Sequence, residues 1–215
     1  MTYVKICGVQ SVGEALAARD AGADLVGVVF AESRRRLTVE TARAIGESLG
    51  GGAQLRLVDG EDGAERLERL LEAKRPSLVG VFEGQAQEEI ESIAARAGLD
   101  ALQLHGEEAP VEELAGKWPV IRALDPDDLA VRRDVLLMLD GSRGRGRLGD
   151  WAALAEVASS MRFILAGGLT VENVGEAIRR LHPWGVDVSS GVETGGRKDP
   201  AKMREFVWAA KGAPT

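Results

Sequence analysis

Along the chain, short runs of apolar and β-branched residues alternate with longer stretches in which Ala and Leu recur at helical spacing among Glu, Asp and Arg. The apolar runs are Tyr3–Cys7, Leu25–Phe30, Leu78–Phe82, Ala101–Leu104, Val120–Ala123, Val135–Leu139, Arg162–Ala166 and Val186–Ser189. Each has the length and composition of a strand. Between and after them the spacing predicts helices near 11–21, 38–49, 86–97, 109–117, 126–132, 150–160, 170–181 and 199–211. Thr38 with Thr41 behind it, and Thr170 with Glu172 and Asn173 in the first turn, mark two helix starts. Strands that alternate with helices pair in parallel, and near-continuous apolar strands are buried on both faces. Eight such units without a dinucleotide-type glycine fingerprint favour a closed (β/α)₈ barrel, an α/β TIM barrel filling residues 1–215 as one domain. On pattern alone an open doubly wound sheet is the alternative. At 215 residues the barrel is near its minimum size.

Residues 50–76 break the rhythm, because this stretch is longer than an ordinary connection. Within it Asp62–Arg75 is amphipathic, with Leu67, Leu70 and Leu71 on one side. The expectation is an extra turn and helix after the second helix, packed outside the barrel. Gln54–Val58 reads alternatively as a strand, which would disturb the count of eight.

Composition narrows the partners. Lys and Arg number 27 against 34 Asp and Glu, a formal charge of −7 that argues against a general nucleic-acid surface. A few cations can still hold an anion locally, and Arg34, Arg35, Arg36 and Arg143, Arg145, Arg147 are two concentrations. No apolar run approaches the roughly 20 residues of a membrane span. The first residues, MTYVKICG, lack the apolar stretch of a secretory signal. Cys7 is the one cysteine and forms no internal disulfide, which fits a cytoplasmic protein.

In a parallel barrel the chemistry gathers where strands end. In the first strand Lys5 and Cys7 share a face, since alternate residues point the same way. A lysine facing a barrel interior is costly unless paired. Asp187, on the strand that closes against the first, is the proposed partner. An ammonium beside Cys7 would lower its pKa toward a reactive thiolate; the bland reading is a small buried thiol. Asp140 closes the sixth strand, either as a loop-closing acceptor or as a general acid kept protonated by an apolar mouth. Gly144 and Gly146 behind it offer backbone N–H groups. Gly167 and Gly168 open the seventh loop, and Ser190 and Gly191 the eighth. That loop pair, with a short extra helix, often holds a phosphate in barrels. Arg35 after the second strand suits a bidentate grip on a carboxylate, although a charge run is usually a solvated face. Gln103 and His105, after the fourth strand, line the site or cap a loop. His182 before Pro183 is a poor ligand position.

These residues lie within pieces that together resemble the phosphoribosylanthranilate isomerase family: VKICG (4–8), GADLVGVVF (22–30), SRR (33–35), VGVF (79–82), LQLHGEE (102–108), LLMLD (136–140), ILAGGLTVENV (164–174) and GVDVSSGVE with KD (185–199). Their order and spacing carry the likeness nearly end to end, outside 50–76, which looks inserted. The resemblance implies a barrel enzyme of tryptophan biosynthesis, catalysing an Amadori rearrangement without metal or cofactor. It implies Cys7 as general base, Asp140 as general acid, Arg35 on the anthranilate carboxylate, and the seventh and eighth loops on the phosphate. The expected ligand is a phosphorylated amino-sugar, with neither nucleic acid nor membrane as partner, bound by a monomer or homodimer. Arg143, Arg145 and Gly149 depart from the family's pattern after Asp140, and Arg122 stands where a lysine is common. Sugar-phosphate isomerases of histidine biosynthesis, or dual-substrate versions, resemble barrels with an aspartate where Cys7 stands. Ribulose-phosphate epimerases call for metal ligands, and the chain has two histidines. A non-catalytic phosphate-binding barrel would keep the loop pair and lose the acid or the base.

Overall fold

The computed structural model describes residues 2–53, 56–124, 133–140 and 161–212. Eight parallel strands form a closed barrel in chain order: β1 (Tyr3–Cys7), β2 (Leu25–Val29), β3 (Ser77–Glu83), β4 (Ala101–His105), β5 (Val120–Leu124), β6 (Leu136–Asp140), β7 (Phe163–Ala166) and β8 (Gly185–Val188). The barrel closes where β1 pairs β8, with Lys5 level with Asp187 and Ile6 with Val188. Helices among the described residues are α1 (Val12–Asp20), α2 (Val39–Ser48), α3 (Gly63–Ala73), α4 (Gln87–Ala97), α5 (Val111–Ala115), α6 (Val174–Leu181) and α7 (Pro200–Gly212). The expected helices at 126–132 and 150–160, and the glycines 144 and 146, lie outside the described residues.

Each strand alternates between two apolar environments. Ile6, Val26, Val28, Leu102, Leu104, Leu137 and Leu165 pack outward against the helices, while Leu25, Val79, Ala101, Ile121, Leu136, Met138 and Ile164 fill the interior. Burial on both faces is why the strands read as unbroken apolar runs. The cap expected at Thr38 is present, its hydroxyl oxygen accepting from the Thr41 N–H at 3.2 Å. Thr170 does not cap its helix. α6 begins at Val174 after Asn173, whose side-chain oxygen accepts from the Thr170 N–H at 2.9 Å and so organises the preceding loop instead. α6 ends at Leu181 and is capped by His182, which takes the left-handed conformation (φ 44°) and returns its N–H to the Ile178 carbonyl, with Pro183 next to stop the helix.

The largest departure from expectation concerns residues 50–76. Of the alternative strand over Gln54–Val58, residues 54 and 55 lie outside the described residues and no strand forms over 56–58, so the barrel has eight strands among the described residues. α3 is capped by a reciprocal pair, Asp62 accepting from the Glu65 N–H and Glu65 from the Asp62 N–H. It does not lie against the outer wall. Leu67, Leu70 and Leu71 are at most 1% exposed and belong to the interior cluster with Leu25, Ala101, Leu136 and Trp184. Its polar contacts reach residues that precede successive strands. Arg66 donates to the Ala115 and Asp134 carbonyls, Glu68 accepts from the Trp184 indole, and Arg162 pairs with Asp62 and Glu68. The helix therefore plugs the end of the barrel where the strands begin. A barrel interior opens at both ends, and an amphipathic helix with its leucines turned inward closes one of them.

This placement predicts the cost of Leu70→Ala. A side chain sealing the barrel floor should cost about 2–5 kcal/mol, as a core truncation does, read as a lower urea midpoint at unchanged slope. A leucine on a peripheral helix would cost far less.

Candidate active site

Lys5, on β1, is 1% exposed and points into the barrel, and its Nζ donates to Asp187 Oδ1 at 2.7 Å. The cross-strand pair expected from the sequence is present, and it settles the question of how a buried ammonium is tolerated. Burial disfavours the charge on Lys5, but Asp187 and the nearby thiol more than offset this, and its pKa is raised. One step further along the same face is Cys7, 9% exposed, in a small cluster with Val29, Ala31 and Val81 at the mouth.

The thiol departs from expectation. Burial raises the Cys7 pKa, and the opposing pull of Lys5, with a smaller one from Lys198, does not overcome it. The expected lowering fails because burial of the thiol outweighs the ammonium, and the Asp187 carboxylate opposes part of what Lys5 supplies.

Space for this pair comes from a residue that sequence reading missed. Gly27 on β2 lies level with Cys7. A Cβ at Gly27 would lie 3.0 Å from the Cys7 sulfur and 3.1 Å from Lys5 Nζ. A glycine inside an otherwise β-branched strand is the available signal, since it marks a close approach.

Asp140 ends β6 on the face shared with Leu136 and Met138, so it points to the barrel mouth, half-buried. Gln103 is buried, and its amide Nε2 donates to His105 Nε2 at 2.7 Å. Burial lowers the His105 pKa, and Lys5 and Arg122 act in the same direction against Glu83 and Asp187. Both residues of β4 thus line the interior rather than cap a loop. Arg122 does not face the site. It sits between Ile121 and Ala123, which point inward, and it donates to the Leu104 and Gly106 carbonyls at 3.2 and 2.6 Å.

The seventh and eighth loops meet. Gly167 and Gly168 have φ of 91° and 64°, and a Cβ on Gly191 would collide with the Leu169 carbonyl. Ser190–Val192 forms one turn of 3₁₀ helix. Around them lies a charged cluster only partly foreseen. Glu193 accepts from Arg35 Nε at 2.7 Å, Arg35 Nη2 at 3.1 Å, Arg34 Nη2 at 2.8 Å and Lys198 Nζ at 2.9 Å. Burial opposes ionisation of Glu193, but Arg35 and Lys198 prevail and hold its pKa at about 2. Lys198 also donates to the Ser189 carbonyl at 2.9 Å. In sequence Glu193 and Lys198 lie more than 150 residues from Arg35, and no local pattern joins them. Among the described residues no group of three His, Cys, Asp or Glu is placed to hold a metal ion, and no helix is long and apolar enough to cross a membrane.

A closed parallel barrel with a thiol, a carboxyl group, an imidazole and paired glycine loops at the ends of its strands has the form of a barrel enzyme working at its C-terminal mouth. Comparison with known proteins specifies which kind. The family model for N-(5'-phosphoribosyl)anthranilate (PRA) isomerase matches residues 51–209. The N-(5'-phosphoribosyl)anthranilate isomerase of Roseiflexus castenholzii is 41% identical across 98% of both chains, and that of Syntrophomonas wolfei 42% across 96% of both. The crystal structure of phosphoribosyl anthranilate isomerase from Thermus thermophilus superposes with a TM-score of 0.77 at 34% identity, covering 99% of this chain and all of that one. A phosphoribosyl anthranilate isomerase in complex with reduced 1-(o-carboxyphenylamino)-1-deoxyribulose 5-phosphate gives 0.75 at 32% identity, with the same coverage. The chain belongs to the phosphoribosylanthranilate isomerase family.

Two predictions follow from the geometry. Gly27→Ala should keep the barrel's circular dichroism yet cost about 1–3 kcal/mol of stability, read as a lower urea midpoint, because its Cβ makes the Cys7 sulfur or the Lys5 ammonium give by a few tenths of an ångström. Glu193, ordinarily near 4.5 and held at about 2, stabilises the fold above its unfolded pKa and loses that contribution as pH falls through its folded value. Stability should therefore drop between about pH 4.5 and 2, and Glu193→Gln should flatten the unfolding-midpoint curve across that window.

Proposed function

We propose that the protein isomerises N-(5-phosphoribosyl)anthranilate to 1-(2-carboxyphenylamino)-1-deoxyribulose 5-phosphate, with Cys7 as base and Asp140 as acid. The observation that carries the reading is Cys7 at the end of β1, turned into the barrel beside Lys5, in a chain of this family. Asp140, delivering a proton to the ribose ring oxygen, opens the C1′–O4′ bond and leaves an imine. Cys7 as thiolate removes the C2′ proton, and the electron pair moves to nitrogen to give the enol-amine. Loss of the enol proton and protonation at C1′ complete the keto sugar. One proton is given and one taken, so no acid is consumed. The residues present supply this acid–base chemistry without metal or cofactor.

Recognition divides among the mouth residues. Arg35 takes the anthranilate carboxylate, the backbone around Gly167, Gly168, Ser190 and Gly191 takes the phosphate, and Gln103 with a neutral His105 borders the ribose. Gly144 and Gly146 belong to the same proposal, although they lie outside the described residues. The protein is proposed to work in the cytoplasm as a monomer or homodimer; a relative from Thermotoga maritima is described as dimeric.

The test is turnover of freshly generated N-(5-phosphoribosyl)anthranilate, followed by loss of its fluorescence. Cys7→Ser and Asp140→Asn should each lower kcat by about 10²- to 10⁴-fold. A folded native protein that binds the reduced product analogue but shows no turnover would sink the reading. The pH profile carries a separate expectation. The base works deprotonated and its pKa is raised, so kcat/KM should climb with pH to a half-point above the ordinary thiol range. The double variant Lys5→Met/Asp187→Asn, which strands no buried charge, should move that limb higher, since Lys5 lowers the thiol pKa more than Asp187 raises it.

A further inference from the structure

The guanidinium of Arg35 is committed before any ligand arrives. Its stem crosses Gly8, whose φ of 75° and missing side chain leave room for the Arg35 Cδ. Its inner edge, Nε and Nη2, makes a two-point contact with the carboxylate of Glu193 at 2.7 and 3.1 Å. Glu193 is itself immobilised. Its side chain is 6% exposed, its carboxylate also accepts from Lys198, which is 1% exposed, and its carbonyl accepts from Lys202 at 2.8 Å.

A guanidinium has five N–H donors in one plane, and a side-on contact uses two of them. The end-on pair, one hydrogen on Nη1 and the second on Nη2, remains. Nη1 donates to nothing among the described residues. The cluster also keeps excess positive charge, since Arg34, Arg35 and Lys198 share the single carboxylate. An arginine left to itself has many rotamers and loses about 2 kcal/mol of rotamer entropy when a ligand fixes it. Here that ordering is already done.

We infer that Glu193 is a positioning residue for carboxylate recognition: it locks the plane of Arg35 so that the end-on donors face an incoming aryl carboxylate, and it stays in place when that carboxylate binds. The inference rests on the proposed role of Arg35 and extends it. The competing arrangement, in which Glu193 occupies the guanidinium in the substrate's place and must be displaced, predicts the opposite sign.

Calorimetric titration distinguishes them with two ligands: reduced 1-(2-carboxyphenylamino)-1-deoxyribulose 5-phosphate and the same compound lacking the carboxyl group. The reading is the ratio of their Kd values, which cancels general losses of fold or phosphate binding. Arg35→Met should bring the ratio close to one. Glu193→Ala should reduce the native ratio roughly ten-fold, by weakening the carboxylate ligand alone. Glu193→Gln, which keeps one acceptor for Arg35, should fall between, and it serves if the alanine variant does not fold. Lys198→Met removes one anchor of Glu193 but not its contact atoms for Arg35, and should reduce the ratio less than Glu193→Ala does. A ratio that holds or rises in both Glu193 variants while it collapses in Arg35→Met overturns the inference and spares the role of Arg35. A ratio that survives Arg35→Met overturns both.

Discussion

The buried pair between Lys5 and Asp187 is the constraint around which the rest of the site is arranged. It joins the first strand to the last at the seam where the barrel closes, and it does so in an interior otherwise filled with aliphatic side chains. A lone ammonium there would lose its proton or pull the strand open. Paired, it fixes the register of β1 against β8, because slipping either strand by one residue would turn its charge to the opposite face. Breaking such a pair from one side costs about 3–5 kcal/mol, since the remaining charge is stranded. The same contact has an electrostatic consequence: Asp187 opposes part of what Lys5 lends to the thiol above it, and burial of the thiol outweighs the remainder.

The two ends of the barrel show the division of labour that a tube of parallel strands invites. Where the strands begin, α3 turns three leucines into the opening and ties the surrounding loops together through Arg66, Glu68 and Arg162. Where they end, the interior changes character from aliphatic to polar within one layer of side chains, from Met138 to Asp140 on β6 and from Ala101 through Gln103 to His105 on β4. The closed floor lets the open mouth carry groups that do nothing for packing. Glu193 illustrates what such a mouth tolerates. A carboxylate with 6% exposure is stable there because three cations converge on it, and those cations keep a net positive charge in a protein whose overall charge is −7.

Much of this was legible in the amino-acid order. The eight strands were legible because burial on both faces writes an uninterrupted apolar run, and their alternation with helices implied parallel pairing. Period-two geometry along the first strand put Lys5 with Cys7 on a common face. The glycines at 167, 168 and 191 marked where backbones turn sharply or touch. Asp187 was found by combining two such inferences, strand facing and barrel closure. These are local rules, a few residues in reach, and the chain obeys them.

What only the tertiary structure decided involves distance in sequence or competition between opposed effects. An amphipathic pattern identifies α3 as a helix but not the surface that receives its leucines, and the barrel floor became that surface because it was the apolar area left uncovered. Arg122 stands where a lysine is common, and the sequence gives it no direction; neighbours facing inward send it outward to backbone carbonyls. The pKa of Cys7 depended on the balance of burial, Lys5 and Asp187, and no residue spacing gives the sign of such a sum. Glu193 reaches Arg35 only because the barrel brings β2 and β8 to either side of β1. Strand and helix identity follow from short-range sterics and periodicity, which the sequence carries by itself; the state of each charged group follows from what the closed barrel packs around it.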